Sequence, residues 1–277
     1  MLASRLAFAL VAVALALPGA AQTKPGDETY TPTPGQAGKD VVWIPTPDAL
    51  VTMMLEAVKT TKDDLVYDLG SGDGKIPIAA AKDYGAKAIG IEYNPEMAEF
   101  ARRNVKHAGV DHLVNIITGD IFVEDFSKAT VVTMYLLPAL NIKLRPTILR
   151  MKPGTRVTSH QFDMGDWEPD QRLKLDTRDA YVWIVPATVG GAWTLKDEGN
   201  SFSGTLNLVQ RYQRLGGTLT LAGKTQPLLG AWIDGDKVGF SFIDADTLLS
   251  ARMSVVGTSM TGTLSDPRKT QLTGSKR

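Results

Sequence analysis

The sequence predicts an α/β protein: a doubly wound, mostly parallel seven-stranded sheet followed by a small antiparallel all-β domain. Three observations predict it. Between residues 64 and 162, short apolar runs alternate with stretches of helical periodicity, the pattern of parallel strands joined by crossover helices. The runs "RLKLD" and "YVWIV" then follow each other closely enough for a hairpin, an antiparallel pair closing the sheet. From Gly190 onward no helical period remains: short segments alternate apolar and polar residues, and this stretch holds 13 of the 26 glycines.

The elements are taken in chain order. "MLASRLAFALVAVALALPGAAQT" carries one positive charge, Arg5, an apolar run from Leu6 to Leu17, a Pro18-Gly19 break and small residues after it. This is the layout of a secretory signal over residues 1–21, cleaved after Ala21. The run is shorter than the roughly 20 apolar residues a membrane span needs. The mature chain is therefore expected to be exported, to the periplasm or the envelope, with no membrane span left. Residues 22–40, rich in Pro, Gly, Thr and charge, read as a flexible lead-in. Residues 41–189 form the predicted α/β domain and 190–277 the β-domain, with "TVGG" (188–191) as the boundary.

The α/β domain opens with a helix, for which Thr46 can supply the cap, Pro47 the first position and Asp48 a charge suited to the positive helix end. Strands follow at 64–69, 86–92, 113–120, 129–137 and 155–162. Between them "KIPIAAAKDY" reads as a helix with Pro77 in its first turn, and "NPEMAEFARRNVKHAG" as one capped by Asn94 with Pro95 next. "LNIKLRPTILRM" is helical in parts, broken near Pro146. The hairpin joins its strands through "TRDA". In the C-terminal part "GG" (216–217) and "DGD" (234–236) are turn signals, and the whole reads as a meander closed into a sandwich or barrel.

Composition excludes several functions. The 277 residues hold 30 Lys+Arg against 30 Asp+Glu, which argues against a polybasic nucleic-acid binder. With no cysteine, there is no disulfide, thiolate metal site or cysteine nucleophile. Three scattered histidines do not suggest a zinc site, so no metal is expected.

The chemistry concentrates in "VYDLGSGDGKI" (66–76), where a buried strand runs into Gly70, Gly72 and Gly74 and then a helix. Glycines there let backbone N–H groups face a ligand. The spacing G-x-G-x-G is neither the dinucleotide fingerprint nor a Walker loop. Asp68 and Asp73 would repel a pyrophosphate but suit an ammonium group. Glu92, ending the second strand, can accept from both ribose hydroxyls, and Asp120 in "TGD" can accept from an adenine amino group. The ligand they describe is a nucleoside with an amino-acid tail and no phosphate, which is S-adenosylmethionine.

With these residues in hand, residues 41–186 resemble a class I, seven-β-strand S-adenosylmethionine-dependent methyltransferase. "VYDLGSGDG" resembles its first motif, "IGIE" its acidic second motif and "TGD" its third-strand motif. "WIPTP", "DLGSGDGKI" and "YLLPALNIKLRPTIL" are similar to a bacterial group related to the mitochondrial and archaeal protein-lysine methyltransferases. The resemblance implies methyl transfer to lysine of a protein substrate. Tyr135 and Pro138, at the end of the fourth strand, fall where the acceptor should sit. The Asn/Asp-Pro-Pro-Tyr of base-methylating enzymes is absent there, which again argues against nucleic acid. His160, Asp163 and Trp167 are candidates for an acceptor channel, His160 with a general-base role against an ordinary strand-end histidine. Two alternatives stay open at this point: an exported, non-catalytic protein that keeps the fold for binding, and a small-molecule methyltransferase. The acceptor, the oligomeric state and the role of residues 190–277 are not legible.

Overall fold

The computed structural model describes residues 30–39, 42–199 and 201–277; the predicted signal at 1–21, and residues 22–29 of the lead-in, lie outside them. Pro32–Arg277 form a single unit. Its first sheet contains β1 (Leu65–Leu69), β2 (Lys87–Glu92), β3 (Val114–Thr118), β4 (Val131–Met134), β5 (Arg156–His160), β6 (Gln171–Leu175) and β7 (Arg178–Ile184). The helices between them are α1 (Asp48–Ala57), α2 (Lys75–Tyr84), α3 (Pro95–His107) and α4 (Pro138–Ile148). Strand order is β3-β2-β1-β4-β5-β7-β6, with β7 antiparallel to both its neighbours and the other pairings parallel. The central strands β1 and β4 are buried on both faces, their mostly apolar runs interrupted only by the hydrogen-bonded pair Asp68 and Thr133. The order reverses between β1 and β4, which opens a crevice at their carboxyl ends.

Local chemistry explains most boundaries. The Asn94 side chain accepts from the Glu96 and Met97 N–H groups and so starts α3, with Pro95 at its first position. Four expectations change. α1 has Pro47 at its N-cap and no side-chain cap bond, because the Thr46 hydroxyl is drawn to His160 instead. α4 is not broken at Pro146: the proline lies in the last turn on the exposed side of the helix, and its i−4 residue, Ile142, is exposed as well. The β6–β7 turn is shorter than "TRDA", only Asp176–Thr177, with Asp176 at φ +55°. Residues 32–39 of the lead-in are folded: Ala37 bridges Val42, and the Gly35 and Trp43 N–H groups donate to Trp43 and Gln36 carbonyls.

The second sheet has nine strands: β8 (Gly191–Asp197), β9 (Ser203–Arg211), β10 (Arg214–Leu221), β11 (Lys224–Pro227), β12 (Leu229–Asp234), β13 (Lys237–Asp244), β14 (Thr247–Val256), β15 (Ser259–Leu264) and β16 (Gln271–Lys276). They run antiparallel in the order β11-β10-β9-β8-β16-β15-β14-β13-β12. One continuous sheet rules out a sandwich. It curls around Trp193, Leu206, Phe240, Phe242 and Met253 until β10 meets β12, which is barrel-like. Gly216 and Gly217 are not a turn but lie inside β10, where a Cβ on Gly217 would meet the Asn207 carbonyl oxygen at 2.0 Å. No helix among the described residues is long and apolar enough to cross a membrane.

Candidate functional site

The crevice beyond β1 and β4 holds a cavity of about 590 Å³. At one end the chain leaves β1 through Gly70 (φ +78°) and Gly72 (φ +53°), left-handed conformations that favour glycine. A Cβ on Gly72 would fall 2.5 Å from the Trp43 Nε1. Glu92 ties this loop to the next strand: the Gly72 N–H donates to its Oε2 and the Asn94 N–H to its Oε1, each at 2.9 Å. Two lone-pair sites of the carboxylate remain for a ligand in the cavity it lines.

Asp68 is buried and accepts from the Thr133 hydroxyl at 2.6 Å. Burial pushes its carboxyl up to about 7, and the charges of Asp73 and Glu92 add to the rise, against the Thr133 hydrogen bond. Burial raises Asp73 as well. Three carboxyls therefore crowd one end of the cavity in a setting that favours a cation. Lys75, the loop's own cation, is turned to Asp48 at 2.8 Å. That arrangement fits an amino-acid ammonium group and not a phosphate.

Further along, Asp120 accepts from the Phe122 N–H at 2.9 Å and from Lys39 Nζ at 2.7 Å, which holds its carboxyl below the usual range. Lys39 also lies over the Tyr93 ring, 4.3 Å from its centroid. Gln36–Lys39 and Val42–Thr46 line the cavity, so the folded lead-in covers it.

The part of the lining that follows β4 is apolar. It consists of Tyr135, Leu136, Leu137 and Leu140, together with Phe162. The Tyr135 ring lies 6.3 Å from Phe162 and 3.8 Å from the imidazole of His160. His160 is buried behind Tyr135, outside the cavity, with Nδ1 3.0 Å from the Thr46 hydroxyl. Burial, then the nearby Arg178 charge, lowers its pKa to about 4, so the imidazole is neutral and a poor base. Burial keeps the Tyr135 phenol protonated.

Of the residues expected here, Asp68, Gly70, Gly72, Asp73, Glu92, Asp120 and Tyr135 line one cavity. The other five do not. Gly74 caps α2 and packs against Ala101 of α3, making it a helix-packing glycine. Pro138 is the exposed first residue of α4, and its neighbours Leu137 and Leu140 face the cavity instead. His160 packs behind the Tyr135 ring and does not reach the cavity. Asp163 turns back on its own loop, accepting from the Gly165 N–H at 3.0 Å. Trp167 is fully buried between Trp183 and Tyr212, 6.0 Å from each ring, and belongs to the core rather than a channel. The residues sequence reasoning missed are Trp43, Lys39, Tyr93 and Phe162. Only Trp43 left a signal, standing directly before the "IPTP" helix start.

Comparison with known proteins agrees with this geometry. A family model described as the ANTKMT methyltransferase domain matches residues 68–171. A protein-lysine N-methyltransferase of Saccharolobus islandicus is 46% identical over 151 residues, covering 52% of this chain and 94% of that protein. An adenine nucleotide translocase lysine N-methyltransferase of Mus musculus is 32% identical over 38% of this chain, which spans only 46% of that relative. A crystal structure described as an RNA methyltransferase from Salinibacter ruber in complex with S-adenosyl-L-homocysteine aligns with a TM-score of 0.52 and 48% identity, covering 53% of this chain and 96% of that one.

Proposed function

The chain belongs to the ANTKMT-domain family of class I S-adenosylmethionine-dependent methyltransferases, and on that premise we propose that its methyl acceptor is the side-chain amine of a protein lysine. The observation that carries this reading is the contrast inside the cavity: a carboxylate-rich end suited to the cofactor's ammonium, and an apolar, uncharged end at Tyr135 and Phe162. The crevice residues would hold a cofactor whose sulfonium methyl is already activated, so that a neutral amine would form the N–C bond as the C–S bond breaks. Asp68 and Asp73 would hold the ammonium group, Glu92 the ribose hydroxyls and Asp120 the adenine amino group. Gly72 allows the close backbone approach.

At the other end the task is delivery of an uncharged amine. The apolar wall of Leu136, Leu140 and Phe162 disfavours ammonium, so the lysine sheds its proton to water before it seats. The neutral His160 adds no opposing positive charge behind Tyr135. The Tyr135 oxygen would accept an amine N–H and so orient the nitrogen lone pair for transfer. Alignment of this kind lowers a barrier by roughly 7–11 kcal/mol, and no covalent nucleophile is needed. The apolar run Leu6–Leu17 with small residues after it supports export, and we infer a substrate among periplasmic or envelope proteins.

The test is mass spectrometry of envelope and cytosolic protein fractions after incubation of the purified chain with labelled S-adenosylmethionine. Methyl-lysine in a protein is the expected product. Label found only in RNA or only in small molecules would overturn the acceptor assignment. Sequencing the N-terminus of the mature protein checks the export reading, with residue 22 as the expected start.

A further inference from the structure

β9 and β10 are joined by a two-residue turn, Tyr212–Gln213, because Arg211 pairs with Arg214. Tyr212 sits in that turn at φ +52°. Positive φ in a two-residue hairpin turn is the province of glycine, asparagine or aspartate. A bulky residue in that conformation is an outlier that its surroundings must hold, and such outliers point to function. The destination of the ring shows what holds it. It leaves its own sheet and joins the core of the first, stacked on Trp167 at a centroid distance of 6.0 Å with the Arg145 guanidinium 5.7 Å from it. Its hydroxyl donates to Asp166 at 3.1 Å.

The rest of the tip grips the same stretch. Arg211 donates to Asp166 at 3.2 Å, Gln213 to the Glu168 carbonyl, and Arg214 pairs with the Glu168 carboxylate. That stretch, which runs from β5 to β6, begins just after Phe162. From the far side α4 holds it too: the Asn141 amide donates to the Phe162 and Asp163 carbonyls at 3.1 Å, and Arg145 to the Met164 carbonyl at 2.6 Å and to Asp166. Asp166 is the shared point, reached by Arg145 from the first sheet's helix and by Arg211 and Tyr212 from the second sheet.

We propose that Tyr212 is a positioning residue for methyl transfer: the β9–β10 tip clamps the 163–170 segment against α4 and so fixes Phe162, the acceptor wall. The inference rests on reading the Tyr135–Phe162 end as the acceptor end. It gives the β-domain a role in the reaction without touching cofactor. A wall displaced by about 1 Å costs on the order of a hundredfold in rate, so holding one loop from two sides has a measurable purpose.

The experiment uses the full chain, with S-adenosylhomocysteine as the binding probe and total labelled methyl transferred to a cell extract as the activity, whatever the acceptor. Tyr212→Ala is expected to lower transfer roughly ten- to a hundredfold. S-adenosylhomocysteine affinity should stay within about twofold, and amide exchange should rise across 161–168. Tyr212→Phe keeps the ring on Trp167 and loses only the Asp166 bond, so it should recover most of the transfer. Unchanged transfer, unchanged exchange, or a parallel loss of affinity would each overturn the proposal. Transfer to something other than lysine overturns the acceptor assignment and leaves this comparison standing. If the wild type transfers nothing, the catalytic reading falls and amide exchange alone decides the clamp.

Discussion

At the glycine-loop end of the cavity the working surface is carboxylate and backbone: Asp68, Asp73 and Glu92 converge within one strand–loop–helix unit and the strand beside it, with Glu92 held by two main-chain N–H groups. At the Tyr135 end the surface is aromatic and aliphatic side chain. Phe162 is placed there by Asn141 and Arg145 on one side and, through Asp166, by Tyr212 on the other. The first end is built by short-range geometry, so its disruption should abolish cofactor binding. The second is built by packing between distant segments, so its disruption should spare binding and damage transfer.

The largest effect should follow the loss of Glu92 or Asp68. Glu92→Ala strips the acceptor from the Gly72 and Asn94 N–H groups and removes the ribose contact in one step. Truncating one partner of a charge-assisted contact that a ligand would bury costs about 2–5 kcal/mol. S-adenosylhomocysteine affinity should fall at least thirtyfold by calorimetry, and transfer with it. Affinity retained within threefold would break the assignment of this end to the cofactor. Next comes Phe162→Ala, which should lower transfer on the order of a hundredfold while leaving S-adenosylhomocysteine affinity within about twofold. Equal losses in both would erase the distinction between the ends. Gly72→Ala is smaller: a Cβ at φ +53° and 2.5 Å from Trp43 Nε1 should cost about 1–3 kcal/mol of strain and weaken cofactor affinity roughly tenfold.

The same contrast governs what the sequence reveals. Asp68, Gly72, Glu92 and Asp120 were legible because each stands at a strand end in a fixed relation to its loop, and the sheet's connection rules then bring the strand ends together. Phe162 gave no such signal. Its place depends on a bend after β5 that Asn141 stabilises from 21 residues away. Trp167 misled because a tryptophan in a loop looks like a channel wall, whereas its partners, Trp183 and Tyr212, come from another strand and another sheet. The lead-in misled for a related reason. Its composition cannot bury a core, yet the Lys39–Asp120 pair and the Trp43 contact on Gly72 need no core to hold residues 36–39 and 42–43 over the cavity.

The smallest net effect should appear in the wild type's stability against pH, because the contributions of the two ends carry opposite signs. Asp68 has a folded pKa of about 7 against 3.8. The folded state therefore binds the extra proton between those values, and Asp68 erodes stability as pH rises toward 7. His160 has a folded pKa of about 4 against 6.5. Here the unfolded state binds the extra proton, and stability rises with pH over that window. Each contribution is at most about 1.4 kcal/mol per pH unit, and between pH 4 and 6.5 the two oppose each other in the cofactor-free protein. Asp68→Asn should leave the histidine contribution alone, so that melting temperature climbs with pH more steeply than in the wild type. His160→Gln should tilt the profile the other way. Cofactor binding should reverse only the first contribution, because an ammonium beside Asp68 returns its pKa toward the ordinary range and releases a proton near pH 6. Calorimetry in buffers of different ionisation enthalpy would detect that proton. Its persistence in His160→Gln, with its fading above pH 7 where Asp68 is already ionised before binding, would assign it to the carboxylate end.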